Sequence, residues 1–444
     1  MKTLAIIAEY NPFHNGHQYH LECAKKLTGA DYSIALMSGN FLQRGIPAMW
    51  DKYTRATMAS LSGVDLTLEL PFVYASGSAR DFATGAVSIL DSLGIVDYLC
   101  FGAETDNLDL LSIIADVINS EPDSYKEQLN YSISNGLSFP QARTVAVTKY
   151  LSQSKEVLKL IQTSEHQENL EESAMTTLQL TLEGVASALN MPNNILAIEY
   201  IAALRRINSR IKPVIIKRCN AMYHDEKLYN SISSATAIRA SIEASSFELS
   251  NIKHDIPAEV YNVVESSYMH SWPINYEALT PYLQCKLLNP CIYNEICDIS
   301  EEFAHKLRKL QPVTNYQAAI DALSSKDLTA TRIFRNLIHL IMDYKEEHRK
   351  LFIDNSYAMY ASILSFRKDK SALLKHINEH SSIPLITKKA DFEKYFADHQ
   401  NINLSTAKIM WDYDIKATNL YNCLVYNTYG SKLQNDYNIS LPII

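Results

Sequence analysis

Over the first hundred residues, short unbroken apolar runs alternate with stretches whose apolar positions recur every three to four residues. The runs are Thr3 to Ala8, Tyr32 to Met37, Leu66 to Leu70 and Tyr98 to Phe101. Between them His17 to Leu27, Asp51 to Leu61 and Ala79 to Leu93 read as helices, and Pro71 ends the third strand. Strands without polar alternation are buried on both faces, so the pattern predicts a parallel sheet with helices on each side. Ligands of such sheets bind beyond the carboxyl ends of the strands.

From about Leu108 to Leu182 the period is helical, with Pro122 and Pro140 expected as breakers. Asn193, after Pro192, reads as the cap of a helix running to about Arg206. Ile211 to Lys217 reads as the last strand, and Ser234 opens a helix over Ala235 to Ile242. Beyond Asn251 the period is helical almost throughout, as in Ala330 to Tyr344 and Ala361 to Ile377. The prediction is a Rossmann-like α/β domain over residues 1–250, carrying a helical, acidic insertion at about 105–190. A mainly α-helical domain over residues 251–444 follows.

Composition agrees with a folded chain of this size: 444 residues, 47% hydrophobic, 20% charged, with only 12 Gly and 14 Pro. No run approaches the roughly 18 apolar residues of a membrane span, and the first residues lack a signal-peptide layout. A cytoplasmic protein without a membrane partner is expected. The seven cysteines are odd in number, and Cys285, Cys291 and Cys297 are too widely spaced for a zinc knuckle, so reduced, buried thiols are expected.

The net charge of −8 argues against a protein coated with phosphate-binding residues, so any nucleic acid must meet local patches. One patch comprises Arg205, Arg206, Arg210, Lys212, Lys217 and Arg218, with no acidic residue among them. Upstream, Gln162 to Leu204 contains no Lys or Arg and carries Glu165, Glu168, Glu171, Glu172, Glu183 and Glu199. Smaller basic groups occur at Lys306, Arg308 and Lys309 and at Arg367, Lys368 and Lys370.

Two segments carry chemistry. His14-Asn15-Gly16-His17 lies at the first strand-to-helix turn, where unpaired amides and the helix dipole favour a phosphate and glycine lets it approach. Ser234-Ala235-Thr236-Ala237-Ile238-Arg239 offers hydroxyls, helix amides and a guanidinium to an anion. An early HxGH with a late S-x-T-x-x-R resembles the nucleotidylyltransferase superfamily, in which both act on ATP phosphates.

Longer segments sharpen the likeness. Ala8 to His17, Met37 to Gly45, Glu69-Leu70-Pro71-Phe72, Phe101-Gly102-Ala103-Glu104, Pro192 to Tyr200, Ile216-Lys217-Arg218 and Ser234 to Arg239 occur in order. Together they resemble the bacterial tRNA(Met) cytidine acetate ligase family. The stretch from about Lys155 to Asn190 is longer than family members usually have, and Ala103 and Ala197 replace an expected Ser and Gly.

The resemblance implies that ATP activates acetate to acetyl-adenylate. The acetyl group then passes to the 4-amino group of the wobble cytidine in the anticodon region of elongator tRNA(Met). It assigns ATP to Ile7, Ala8, Glu9, Tyr10, Asn11, Pro12, Phe13, His14, Asn15, Gly16, His17, Gln18, Tyr19 and His20. It adds Gly102, Asn193 and Arg218, with Ser234 and Thr236 from the late motif. His14, His17, Arg218 and Arg239 are of the kind that stabilises charge growing on phosphate and departing pyrophosphate. Mg2+ is expected with the phosphates, although no motif names its ligands. Glu9 and Glu104 are candidate bases for acetyl transfer, each more simply read as structural. A small-molecule nucleotidylyltransferase of coenzyme biosynthesis and a nonenzymatic ATP- and RNA-binding protein are the rival readings.

Overall fold

The computed structural model describes residues 1–153, 182–218, 233–244, 249–288, 293–310, 313–325 and 328–444. Seven strands stand in the order β5-β4-β1-β2-β3-β6-β7. They are β1 (Thr3–Ala8), β2 (Tyr32–Ser38), β3 (Leu66–Leu70), β4 (Tyr98–Ala103), β5 (Lys212–Lys217), β6 (Ala361–Phe366) and β7 (Leu385–Ile386). β1 pairs in parallel with β2 and β4, and β2 with β3. β3 is buried throughout, although Thr67 and Glu69 alternate with its three leucines.

β6 overturns part of the sequence reading. Ala361 to Ile377 is not one helix: Ala361–Phe366 pairs antiparallel with β3, and a helix begins only at Ala372. The physical reason is burial on both faces, since Ala361 to Ser365 are all buried and a short run of apolar and small residues suits an inner strand as well as a helix. The last helix, Leu404–Tyr429, caps at Gly430 in the left-handed conformation.

The chain falls into two compact units, and their division differs from a boundary near residue 250. The first joins residues 1–100 to 210–212 and 219–444, because β6 and β7 complete the sheet begun at the amino terminus. Two glycines show how closely its segments pack. A Cβ on Gly39 would lie 2.7 Å from Glu69 Oε1, and one on Gly45, where φ is 79°, would lie 2.5 Å from the Arg335 amide.

The second unit comprises residues 101–209 and 213–218. Its helices include Leu108–Ser120, Asp123–Ser134, Phe139–Ser152 and Pro192–Arg206. Pro122 stands at a helix start as expected, but Pro140 does not break the helix over Phe139–Ser152; it sits in the first turn, where no amide donor is required. Of the acidic stretch from Gln162 to Leu204, residues 162–181 lie outside the described residues.

Among the described cysteines, Cys100 and Cys297 are buried, and burial pushes the Cys100 thiol up to about 12. Cys23 is half-buried, whereas Cys285 and Cys423 are exposed, against expectation; none of the five is in a disulfide.

Candidate active site

In the first unit the loop after β1 is built around its histidines. His14 is the N-cap of the Asn15–Thr28 helix, and its Nδ1 accepts the Gly16 amide at 3.0 Å. His17 Nδ1 accepts the His14 amide at 3.3 Å, so the two rings close a reciprocal capping box and stack with centroids 3.7 Å apart. Since each Nδ1 accepts a hydrogen bond, the proton of each neutral ring sits on Nε2. Tyr10 and Phe13 press on His17 at 4.9 and 5.5 Å and fix its tilt. Tyr10 takes φ 48°, a left-handed turn, and both aromatics are buried.

Arg239 reaches this loop across 228 residues of sequence. Its Nη1 donates to the Asn11 carbonyl at 2.7 Å and its Nη2 to Thr236 Oγ1 at 3.2 Å. Ser234 Oγ accepts the Ala237 amide at 3.1 Å and so caps the Ala235–Ala244 helix. HxGH and S-x-T-x-x-R are thereby brought together. Asn11 Oδ1 accepts the Met49 amide at 2.9 Å, and Asn15 Nδ2 donates to the His254 carbonyl at 2.8 Å. Glu9, the only carboxylate between Ile7 and His20, accepts the Gln43 amide at 2.8 Å, which supports its structural reading.

Two groups that the sequence reading missed hold the carboxyl ends of these strands. Arg55 is fully buried and donates to the carbonyls of Glu9 (2.5 Å), Ser38 (3.1 Å), Gly39 and Trp50 (2.9 Å). Its burial lowers its pKa. Lys52, three residues earlier, donates to Glu69 at 2.7 Å and Asp436 at 2.9 Å, and Lys389 donates to the same carboxylates at 2.8 and 3.3 Å. Burial opposes every charge in this quartet, yet the opposite charges win: Lys389 is raised, mainly by Asp436, and Asp436 is lowered, mainly by Lys389. The available signal was two cations on the apolar stripe of the Lys52–Leu61 helix, beside Ala56 and Ala59.

In the second unit, Glu104 follows β4 and binds the start of the Pro192–Arg206 helix. Its Oε2 accepts the Asn194 amide at 2.8 Å and its Oε1 accepts Asn193 Nδ2 at 2.6 Å. Asn193 is therefore not the cap. The helix begins at Pro192, and the Glu104 carboxylate supplies the acceptor that its open amides need. Arg218 Nη1 donates to Asn193 Oδ1 at 3.1 Å, while Gly102 lies within β4. Arg218, Asn193 and Glu104 thus form one hydrogen-bonded chain.

The basic segment is less available than its sequence suggests. Arg205 pairs with Asp116, Arg206 donates to Asn119 Oδ1 at 2.9 Å, and Lys217 lies 3.0 Å from Asp106. Glu199, from the acidic side, is buried against Arg143 at 3.2 Å. Within the first unit, Arg367, Lys368 and Lys370 follow the antiparallel β6, at the end of the sheet opposite the histidine loop.

Comparison with known proteins agrees with this architecture. The model of the HIGH nucleotidyl transferases matches residues 1–436. Proteins named tRNA(Met) cytidine acetate ligase match over nearly full length. The Halothermothrix orenii protein is 35% identical over 100% of this chain and 99% of its own, and a Clostridium perfringens protein is 36% identical over 100% of both. The chain belongs to this family. The crystal structure of Thermotoga maritima TmcAL bound with alpha-thio ATP superposes with a TM-score of 0.85 at 29% identity, covering 100% of both chains. The apo form of that protein matches equally. Among the described residues, no helix is long and apolar enough to cross a membrane.

Proposed function

We propose that this family member is an ATP-dependent ligase that acetylates the 4-amino group of the wobble cytidine of elongator tRNA(Met). The observation that carries the reading is the closure of the His14–His17 loop by Arg239 and Thr236, supported by the names of its full-length relatives.

Acetate attacks the α-phosphorus of ATP, the bond to the β-phosphate breaks, and pyrophosphate leaves with the electron pair. His14 and His17 donate to the phosphate oxygens, and Arg239 offsets charge on the leaving group. No base is required, because acetate is already ionised. The cytosine amine then attacks the acetyl carbonyl, AMP leaves with the pair from the broken C–O bond, and the amine proton passes to solvent. Neither Glu9 nor Glu104 is assigned as the base, since both are committed to backbone and amide donors. Magnesium enters with ATP as the counter-ion of its phosphates.

Residues 1–250 supply the nucleotide-handling groups in this reading, and residues 251–444 position the tRNA. The test is acetate-dependent pyrophosphate release together with base analysis of tRNA(Met) after incubation with ATP, acetate and the protein. Acetylcytidine at the wobble position is the expected product. Release that requires a phosphorylated small molecule instead would favour a coenzyme-type transferase.

A further inference from the structure

Beside the histidine loop, one polar groove of about 710 Å³ remains without a role. Gln18 and Glu22, one turn apart on the Asn15–Thr28 helix, form one wall, and Gln18 directly follows His17. Lys253, Tyr261, Asn262 and Glu265 form the other, Tyr261 and Glu265 lying one turn apart on the Ala258–Ser267 helix. The volume lies within the roughly 300–1,000 Å³ of small-ligand sites.

We propose that this groove receives the acceptor base of the RNA, a cytosine held by its edge and stacked on Tyr261. The proposal rests on the ligase reading above and deepens it. Cytosine presents an amine donor and two acceptors, N3 and O2. Glu265 offers a carboxylate that accepts from an amine and Asn262 a side-chain amide that donates and accepts, while Gln18 donates to Glu22 at 3.3 Å on the facing wall. Bases taken out of a single strand are held in this manner, by an aromatic face and hydrogen bonds along the edge. The Lys253 ammonium stands 5.6 Å over the Tyr261 ring, a cation at the border where the attached phosphate would lie.

Charge argues against the other occupants. Two carboxylates in the walls disfavour a triphosphate or an RNA backbone running through the groove. Of the residues assigned to ATP, only Asn15 and Gln18 touch it, and Gly102, Asn193 and Arg218 do not. Its nearness to His17 sets a base in the groove beside the activated acetyl group.

The experiment uses the full-length protein and two assays, acetate-dependent ATP–pyrophosphate exchange without RNA and acetyl transfer to tRNA(Met) transcripts. A transcript with uridine at the wobble position serves as a binding competitor. Tyr261→Ala is expected to lower kcat/KM for transfer about 10- to 100-fold, the range set by loss of one base stack. Its KM for ATP in exchange should stay within about twofold. Glu265→Gln, an exposed substitution that spares the fold, should shrink the preference for cytidine over uridine at the wobble position. A raised KM for ATP in Tyr261→Ala would place adenine in the groove and overturn the proposal. Equal weakening of both transcripts would reduce the groove to a backbone contact, and unchanged transfer would leave it no part in the reaction. Absence of acetate-dependent exchange in the wild type would refute the ligase reading itself.

Discussion

The histidine loop and the buried quartet both gather distant segments at the carboxyl ends of strands in the first unit, but they leave their charges in opposite conditions. At the loop, Arg239 is half-exposed and donates to the neutral oxygens of Asn11 and Thr236. In the quartet, Lys52 and Lys389 face Glu69 and Asp436, all four are buried, and the Tyr53 and Thr418 hydroxyls donate to Asp436 at 2.8 and 3.0 Å. A cation that must meet phosphate has to keep charge in reserve. One that holds a fold together is matched charge for charge.

The largest effect should come from removing the C-terminal partners altogether. A chain ending near Asn251 lacks β6, Lys389 and Asp436, so β3 loses its antiparallel neighbour and Lys52 and Glu69 lose half of their network. An unpaired central strand associates with other chains. The truncated protein is expected to aggregate, measured as soluble fraction and light scattering. A soluble, monomeric product that forms acetyl-adenylate would show that the quartet is dispensable.

A single break in the quartet comes next. Lys389→Met leaves the two carboxylates sharing one ammonium, and loss of one partner from a buried pair costs about 3–5 kcal/mol. Urea denaturation should show that loss, with KM for ATP little changed in the fraction that remains folded.

His17→Ala tests the other side of the comparison. Acetate-dependent pyrophosphate release should fall by about 10²–10³, the cost of one donor to a developing charge. The unfolding free energy should fall by no more than about 1 kcal/mol, the value of a lost cap. Activity within threefold of wild type would remove the loop from catalysis.

The smallest effect concerns Asp414, next to the quartet. Burial and the Glu69 carboxylate raise it to about 7, and it accepts the Phe72 amide at 2.7 Å and the Tyr360 hydroxyl at 2.6 Å. A carboxyl raised in the folded state stabilises fully below its unfolded value near 4 and loses that contribution as pH rises towards 7. Asp414→Asn should therefore flatten the decline in unfolding free energy between about pH 4 and 7, measured by urea titration at several pH values.

Much of this was legible in the chain. The four leading strands needed only short, largely apolar runs between helical stretches, although β3 also buries Thr67 and Glu69. The histidine loop was equally local, since a histidine cap, a glycine and the next histidine form a complete unit within four residues. The late S-x-T-x-x-R was legible as a capped helix, though not as a partner of Asn11. β6 was not legible, because five buried residues in a row fit a helix or a strand until β3 supplies the edge. Nor was the pairing of Arg205, Arg206 and Lys217, whose partners Asp116, Asn119 and Asp106 lie about ninety or more positions away. By itself the sequence determined the α/β class, the histidine loop and the family, all of which reside in contiguous segments. Only the tertiary structure decided which cations are spent on buried carboxylates and which are brought to the histidine loop, because that depends on which residues meet across the fold.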